Sequence, residues 1–143
     1  MDVISPDEVA AKLNAWKRDA TNSMPSCVFL TAGGGRAIAQ VTLKSDPALD
    51  GSGRILAFAA ETAAATAFGE GVRASDDSSW CPRTLQVVGD LFRDAAPGMF
   101  TAEAAITYRG RTTRVVEVTI RDERERLVAR VAVTQFARRE SAA

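Results

Sequence analysis

Glu61 is the one charged side chain between Arg54 and Gly69, in a run otherwise made of Ala, Ile, Leu, Phe and Thr. Alanine and leucine favour helix, and no proline interrupts the run. A helix that is apolar nearly all round belongs inside a core. The run therefore reads as a buried central helix over about Gly53 to Gly69, with the glycines as entry turn and C-terminal stop. An isolated buried carboxylate is expensive unless paired, hydrogen-bonded or protonated. Burial among Ala and Phe would disfavour its charged form and suit it to base chemistry. Two plainer readings stand beside this one: an ion pair with an arginine from a strand, or a place on a partly wet edge of the helix. About 15 helical residues reach about 22 Å, too short for roughly 30 Å of hydrocarbon, so no membrane partner is expected.

What is missing narrows the chemistry further. The 143 residues include no histidine. That excludes a Ser-His-Asp or Cys-His nucleophile and a histidine-ligated zinc or iron. Acid–base work falls to carboxylates, Tyr108, Cys, Lys or backbone dipoles. Cys27 and Cys81 are too few and too far apart for a metal cluster or a disulfide framework, so no metal is expected and the thiols read as reduced, in a cytoplasmic protein. Lys plus Arg equals Asp plus Glu at 18 each, which leaves no global field to draw nucleic acid. Acidic residues and Pro6 stand where a secretory signal would need a basic stretch and an apolar run, so none is expected. The length fits one domain over 1–143 with a real core.

The elements around the run follow from period and punctuation. Ser5-Pro6-Asp7-Glu8 has the form of a capped helix start, and Val9, Leu13, Trp16 and Ala20 continue it as an amphipathic helix to about Ala20. Cys27 to Thr31 reads as a short strand. Gly33-Gly34-Gly35 lacks the spacing of a phosphate loop and reads as a hairpin turn into a strand from Arg36 to Lys44. Glu70 to Pro82 reads as an exposed loop. From Arg83 the period is two. Strands are expected over Arg83–Phe92, Met99–Arg109, Thr112–Arg121 and Leu127–Phe136, joined by short turns as an antiparallel meander, with a frayed tail from Arg138. Phe100, Ala102, Ala104, Ile106 and Tyr108 share one face of their strand; Leu85, Val87 and Leu91 alternate with Thr84, Gln86, Val88 and Asp90. The class is α+β: one curved antiparallel sheet of about six strands around one long helix. One helix cannot cover such a sheet on both sides, so a homodimer joined edge to edge is expected, with a homotetramer as a further step.

At this point the chain resembles the hotdog-fold acyl-CoA thioesterases, in the branch of 4-hydroxybenzoyl-CoA thioesterase and the phenylacetate-pathway thioesterases. In that branch the central helix opens with a His-Gly-Gly or similar turn, and an Asp or Glu follows eight residues after the first Gly. The matching run here is Ser52-Gly53-Arg54 through to Glu61-Thr62, with Gly53 eight residues before Glu61. Arg83-Thr84-Leu-Gln-Val, Pro97-Gly98-Met-Phe-Thr-Ala-Glu, Tyr108-Arg109-Gly110-Arg111-Thr112-Thr113 and Leu127-Val128-Ala129-Arg130 follow the family's order, and the likeness covers roughly Arg36 to Phe136. Two positions depart: Ser52 stands for the histidine and Arg54 for the second glycine.

The resemblance implies a hydrolase that cleaves an aryl or short- to medium-chain acyl-CoA, with no cofactor beyond the coenzyme A in the substrate. Glu61 would attack the carbonyl or activate a water. The helix start at Ser52, Gly53 and Arg54 would take the developing oxyanion. Thr62 and Thr66 would line the acyl pocket, or else bond the preceding helical turn. Thr84 would come from the partner chain of a site built across a dimer interface. Arg109, Gly110, Arg111 and Thr112, with Arg114 nearby, would hold the phosphates of coenzyme A, or form a solvated charged turn. The competing class is a non-catalytic protein of the same fold that binds acyl-CoA or another apolar ligand.

Overall fold

The computed structural model describes residues 27–45, 51–75 and 80–139. The expected N-terminal helix lies outside them. The chain runs β1 (Val28–Gly33), β2 (Arg36–Leu43), α1 (Gly51–Ser75), β3 (Trp80–Leu91), β4 (Gly98–Arg109), β5 (Thr113–Arg121) and β6 (Leu127–Arg139). The strands form one antiparallel sheet in the order β1-β2-β4-β5-β6-β3, and it curls around α1. This is the hotdog fold.

Alternation makes the inner face. Ala37, Ala39, Val41 and Leu43 on β2, Phe100, Ala102, Ala104 and Ile106 on β4, and Val116, Val118 and Ile120 on β5 are all buried. α1 meets them with Ile55, Phe58, Ala59, Ala63 and Ala67, at steps of three and four. At Gly89 of β3 a Cβ would stand 2.6 Å from the Leu56 Cδ2, so bare backbone is what lets the helix lie this close. The hairpin between β1 and β2 turns on Gly34 and Gly35, with φ of 66° and 76°. A two-residue hairpin turn needs positive φ at both central positions, which explains the glycines without a ligand.

Several expected boundaries and faces move. Neither Gly53 nor Gly69 bounds the helix: both lie inside it, and it continues to Ser75, since a glycine in a helix interior costs only about 1 kcal/mol. β3 begins at Trp80, so Pro82 is in a strand and not a loop; β3 is an edge, where a proline costs no ladder bond. The four late strands are not a simple meander. β4, β5 and β6 are, but β3 pairs with β6 on the far side while β2 takes the free edge of β4. Arg138 and Arg139 are not frayed; they pair with Cys81 and Trp80. Two bulges reset the faces. One at Leu85 brings Thr84 to the inner face and leaves Leu85 63% exposed; one between Ile106 and Tyr108 puts Tyr108 out at 58%.

The β5–β6 turn is held by Asp122. Its carboxylate accepts the backbone N–H of Arg124 and of Arg126 at 2.9 Å each, and Arg126 Nε at 2.8 Å. Desolvation works to raise its pKa, but these hydrogen bonds and the Arg126 charge together hold it below the ordinary aspartate range. A lowered folded-state pKa gives stability that is present above the unfolded value and lost as pH falls through the folded one. Asp122→Asn should therefore lower the thermal midpoint at pH 7. The gap to wild type should narrow as pH drops below about 4, the unfolded aspartate range, in scans across pH 2–7.

Candidate active site

With Ile55, Phe58, Thr62 and Thr66 turned into the sheet, Gly53, Ala57 and Glu61 fall four apart on the opposite side of α1, and all three are exposed. Glu61 is therefore not a buried charge. Among the described residues the sheet wraps one side of the helix only, and its two edges, β1 and β3, leave the other side uncovered. Cys27, half-buried where the chain enters β1, packs on the core. Burial pushes its thiol pKa up, and the Glu61 charge pushes it further.

The start of α1 supplies donors. The helix as described spans Gly51–Ser75, so the N–H groups of Ser52, Gly53 and Arg54 lie in its first turn. Nothing lies within 4 Å of where a Gly53 Cβ would stand. A cleft of about 610 Å³ opens at this end between Gly51, Ser52 and the Leu91–Ala95 segment. Arg54 turns the other way. It is 7% exposed, and its Nη1 donates to the Lys44 carbonyl at 2.8 Å, so it ties the end of β2 to the helix and does not crowd the cleft. Gly53 and Glu61 are eight residues apart, about 12 Å along the axis.

The other anticipated positions divide. Thr62 and Thr66 are buried, and their hydroxyls donate to the carbonyls of Phe58 (2.8 Å) and Thr62 (2.7 Å), which is the plainer of the two readings. At the β4–β5 turn Gly110 N–H donates to the Thr113 carbonyl at 2.8 Å, and Arg111 and Thr112 are exposed. Arg109 is exposed too, while the half-buried Arg114 donates to the carbonyls of Gly110 and Thr113 and so braces the turn. Register links this turn to Thr84. Arg109, Arg114, Gln135 and Thr84 stand directly opposite one another on successive strands, as one polar row across the inner face. The next row inward, Ile106, Val116, Val133 and Val87, is apolar. Gln135 is fully buried; its Nε2 donates to Thr84 Oγ1 at 2.7 Å, and its Oε1 has no partner among the described residues.

Sequence reasoning missed Gln135. It carried a faint signal, since it follows Val131 and Val133 at period two on an inward face. Among the described residues no group of His, Cys, Asp or Glu is placed to hold a metal, and no helix is long and apolar enough to cross a membrane.

Residues 52–129 match the Thioesterase superfamily, and the chain belongs to it. The matched span begins at the helix start and includes Glu61. Among solved structures, a thioesterase from Haemophilus influenzae superposes with a TM-score of 0.70 at 16% identity, covering 99% of this chain and 97% of that one. A hypothetical thioesterase from Streptococcus pneumoniae, solved with coenzyme A, gives 0.69 at 14% identity over 90% and 98% of the two chains. A Streptococcus mutans protein bound to acetyl-CoA gives 0.64 at 18% identity over 80% and 90%. No curated protein matches the sequence at a significant level.

Arg54→Met keeps the buried stem and removes the bond to Lys44. It should lower stability by about 1–2 kcal/mol in urea unfolding. If Arg54 is only this tie, the loss should be the same with and without coenzyme A present.

Proposed function

We propose that the protein is an acyl-CoA thioesterase that works as a homodimer, with Glu61 as its carboxylate and the start of α1 as its oxyanion site. What carries the reading is the placement of Glu61 on the exposed face of a superfamily helix whose first turn lies beside a cleft. The reaction adds water across the thioester. The C–S bond breaks, coenzyme A leaves as its thiol, and the acyl group leaves as a carboxylic acid. In one route Glu61 takes a proton from water as the oxygen attacks the carbonyl carbon. In the other its carboxylate attacks directly, giving a mixed anhydride that water then cleaves. Both routes need the negative charge that grows on the carbonyl oxygen to be met by fixed donors, and the N-terminal amides of α1 are such donors.

One chain alone is the wrong shape for this. Reacting atoms must approach to about 3–3.5 Å, whereas Gly53 and Glu61 of one helix are about 12 Å apart. A second helix laid antiparallel along the open face would set its own first turn beside Glu61. Edge strand β3 supports that assembly: it is long, and Leu85 and Val88 are 63% and 55% exposed on it. Thr84, oriented by Gln135, would then face the shared site, and Arg109 and Arg111 at the turn would meet the phosphates of coenzyme A. The acyl group of this reading is aryl or short- to medium-chain, as in the 4-hydroxybenzoyl-CoA and phenylacetate branch. The residues form one domain, the protein works in the cytoplasm, where acyl-CoA esters are made, and no cofactor beyond the substrate's own coenzyme A takes part.

Release of free thiol from a panel of acyl-CoAs tests this directly. Glu61→Gln should lower kcat by about 100- to 10,000-fold while coenzyme A binding and folding persist. Binding of acyl-CoA without turnover in either protein would leave a binding module, the competing class. Undiminished activity in Glu61→Gln would mean that another group does the chemistry.

A further inference from the structure

From the end of β3 the chain runs from Leu91 to Ala95 beside the start of α1, and it is pinned at both ends. Leu91 and Ala95 pack on the core cluster. The Phe92 N–H donates to the Val128 carbonyl at 2.8 Å, which ties the segment to β6. At Gly51 a Cβ would stand 2.8 Å from the Ala95 carbonyl oxygen, so helix start and segment are in close contact there. Phe92, Arg93 and Asp94, between the two anchors, are exposed. With Gly51 and Ser52 they line the cleft of about 610 Å³. Phe92 is its one aromatic side chain among the described residues, and at 55% exposed it is left out of the core that Leu91 joins. We propose that this cleft holds the acyl group of the thioester, and that Phe92 selects an aromatic one by packing on its ring. The inference rests on the start of α1 being the oxyanion site, and it narrows the acyl range to aryl.

Two observations favour the acyl group as occupant. The first is adjacency. A thioester whose carbonyl oxygen meets the first turn of α1 has an acyl arm and a sulfur arm, and the cleft is the space beside that turn. The second is charge. The cleft's charged side chains, Arg93 and Asp94, balance each other, so the several negative charges of coenzyme A meet no net attraction there, whereas an uncharged acyl group needs none. An apolar group laid on Phe92 removes apolar area from water. An aromatic ring does more, because offset or edge-on contact between two rings adds to the burial and an alkyl chain has no such contact to make. The pinning matters for selection. A wall held by the core on both sides is preorganised, so little ordering is spent when the ring arrives.

Two measurements test it. The first needs no turnover. Phenacyl-CoA, a thioether that water does not cleave, and free coenzyme A are titrated calorimetrically into wild type, Phe92→Ala and Phe92→Leu. The phenacyl group should tighten binding about tenfold or more in wild type, and that gain should fall to about twofold or less in Phe92→Ala, with Phe92→Leu between them. An equal gain in all three proteins, or no gain in wild type, would overturn the aryl subsite. The second compares kcat/KM for benzoyl-CoA and hexanoyl-CoA in thiol release. The benzoyl-to-hexanoyl ratio should fall about tenfold in Phe92→Ala and by less in Phe92→Leu. A loss of the same size on both substrates would make Phe92 a structural or interface residue and overturn its selecting role. Absence of turnover in wild type would sink the hydrolase reading, while the titrations would still decide whether the cleft takes an aryl group.

Discussion

A six-stranded sheet curled around a single helix covers only one side of it, and this mismatch governs the rest of the molecule. Phe58, Ile55 and the alanines of α1 fill the concave face, with Gly89 left bare so that the helix can approach. The core is satisfied by that one face. The other face keeps Gly53, Ala57 and Glu61 in a line, between an edge at β1 and an edge at β3. Small residues there leave room for close contact with another surface. The fold thus makes a well-packed core and, by the same geometry, an unfinished surface.

The chemistry depends on that surface. With no histidine in the chain, acid–base work falls to carboxylates, Tyr108, Cys or Lys, and Glu61 is the carboxylate on the exposed face of α1. A carboxylate sealed in the core would have to be neutralised or paired, and a fully solvated one would be undirected. Glu61 falls between these. It is exposed within one chain, and in the proposed dimer the second chain would enclose it. The amides at the other end of the same helix complete the charge pattern, a fixed positive potential about 12 Å from the negative group. Antiparallel pairing of two such helices brings each end to the other's middle.

Much of this was legible in the residues. Period-two alternation placed β2, β4 and β5 and named their inward side chains, and three consecutive glycines gave the hairpin. The nearly uncharged run from Gly53 to Gly69 pointed to the central helix. The failures share a cause: each needed knowledge of what lies opposite. Bulges at Leu85 and after Ile106 are set by the partner strand, so the faces of Thr84 and Tyr108 were misassigned. Gly69 looked like a stop, but one glycine's cost is small for a helix of 25 residues. An alanine-rich helix looks buried all round because alanine suits both an interior and a close-packed interface, so the buried reading of Glu61 came first, and the wet-edge alternative is the one that holds. The Gln135–Thr84 contact joins residues far apart in sequence, and no spacing rule reaches it.

The central claim is that each site takes its carboxylate from one chain and its oxyanion donors from another. Complementation between two inactive variants addresses it most directly. Gly53→Val adds a side chain where nothing stands within 4 Å, so it should leave the fold intact and block the helix start. Alone, it and Glu61→Gln should each be nearly inactive. Refolded together in equal amounts, they should recover about a quarter of wild-type turnover, because half of the randomly formed dimers would carry one intact composite site of two. A mixture as inactive as its parts, with mixed dimers present by mass spectrometry, would contradict the shared site.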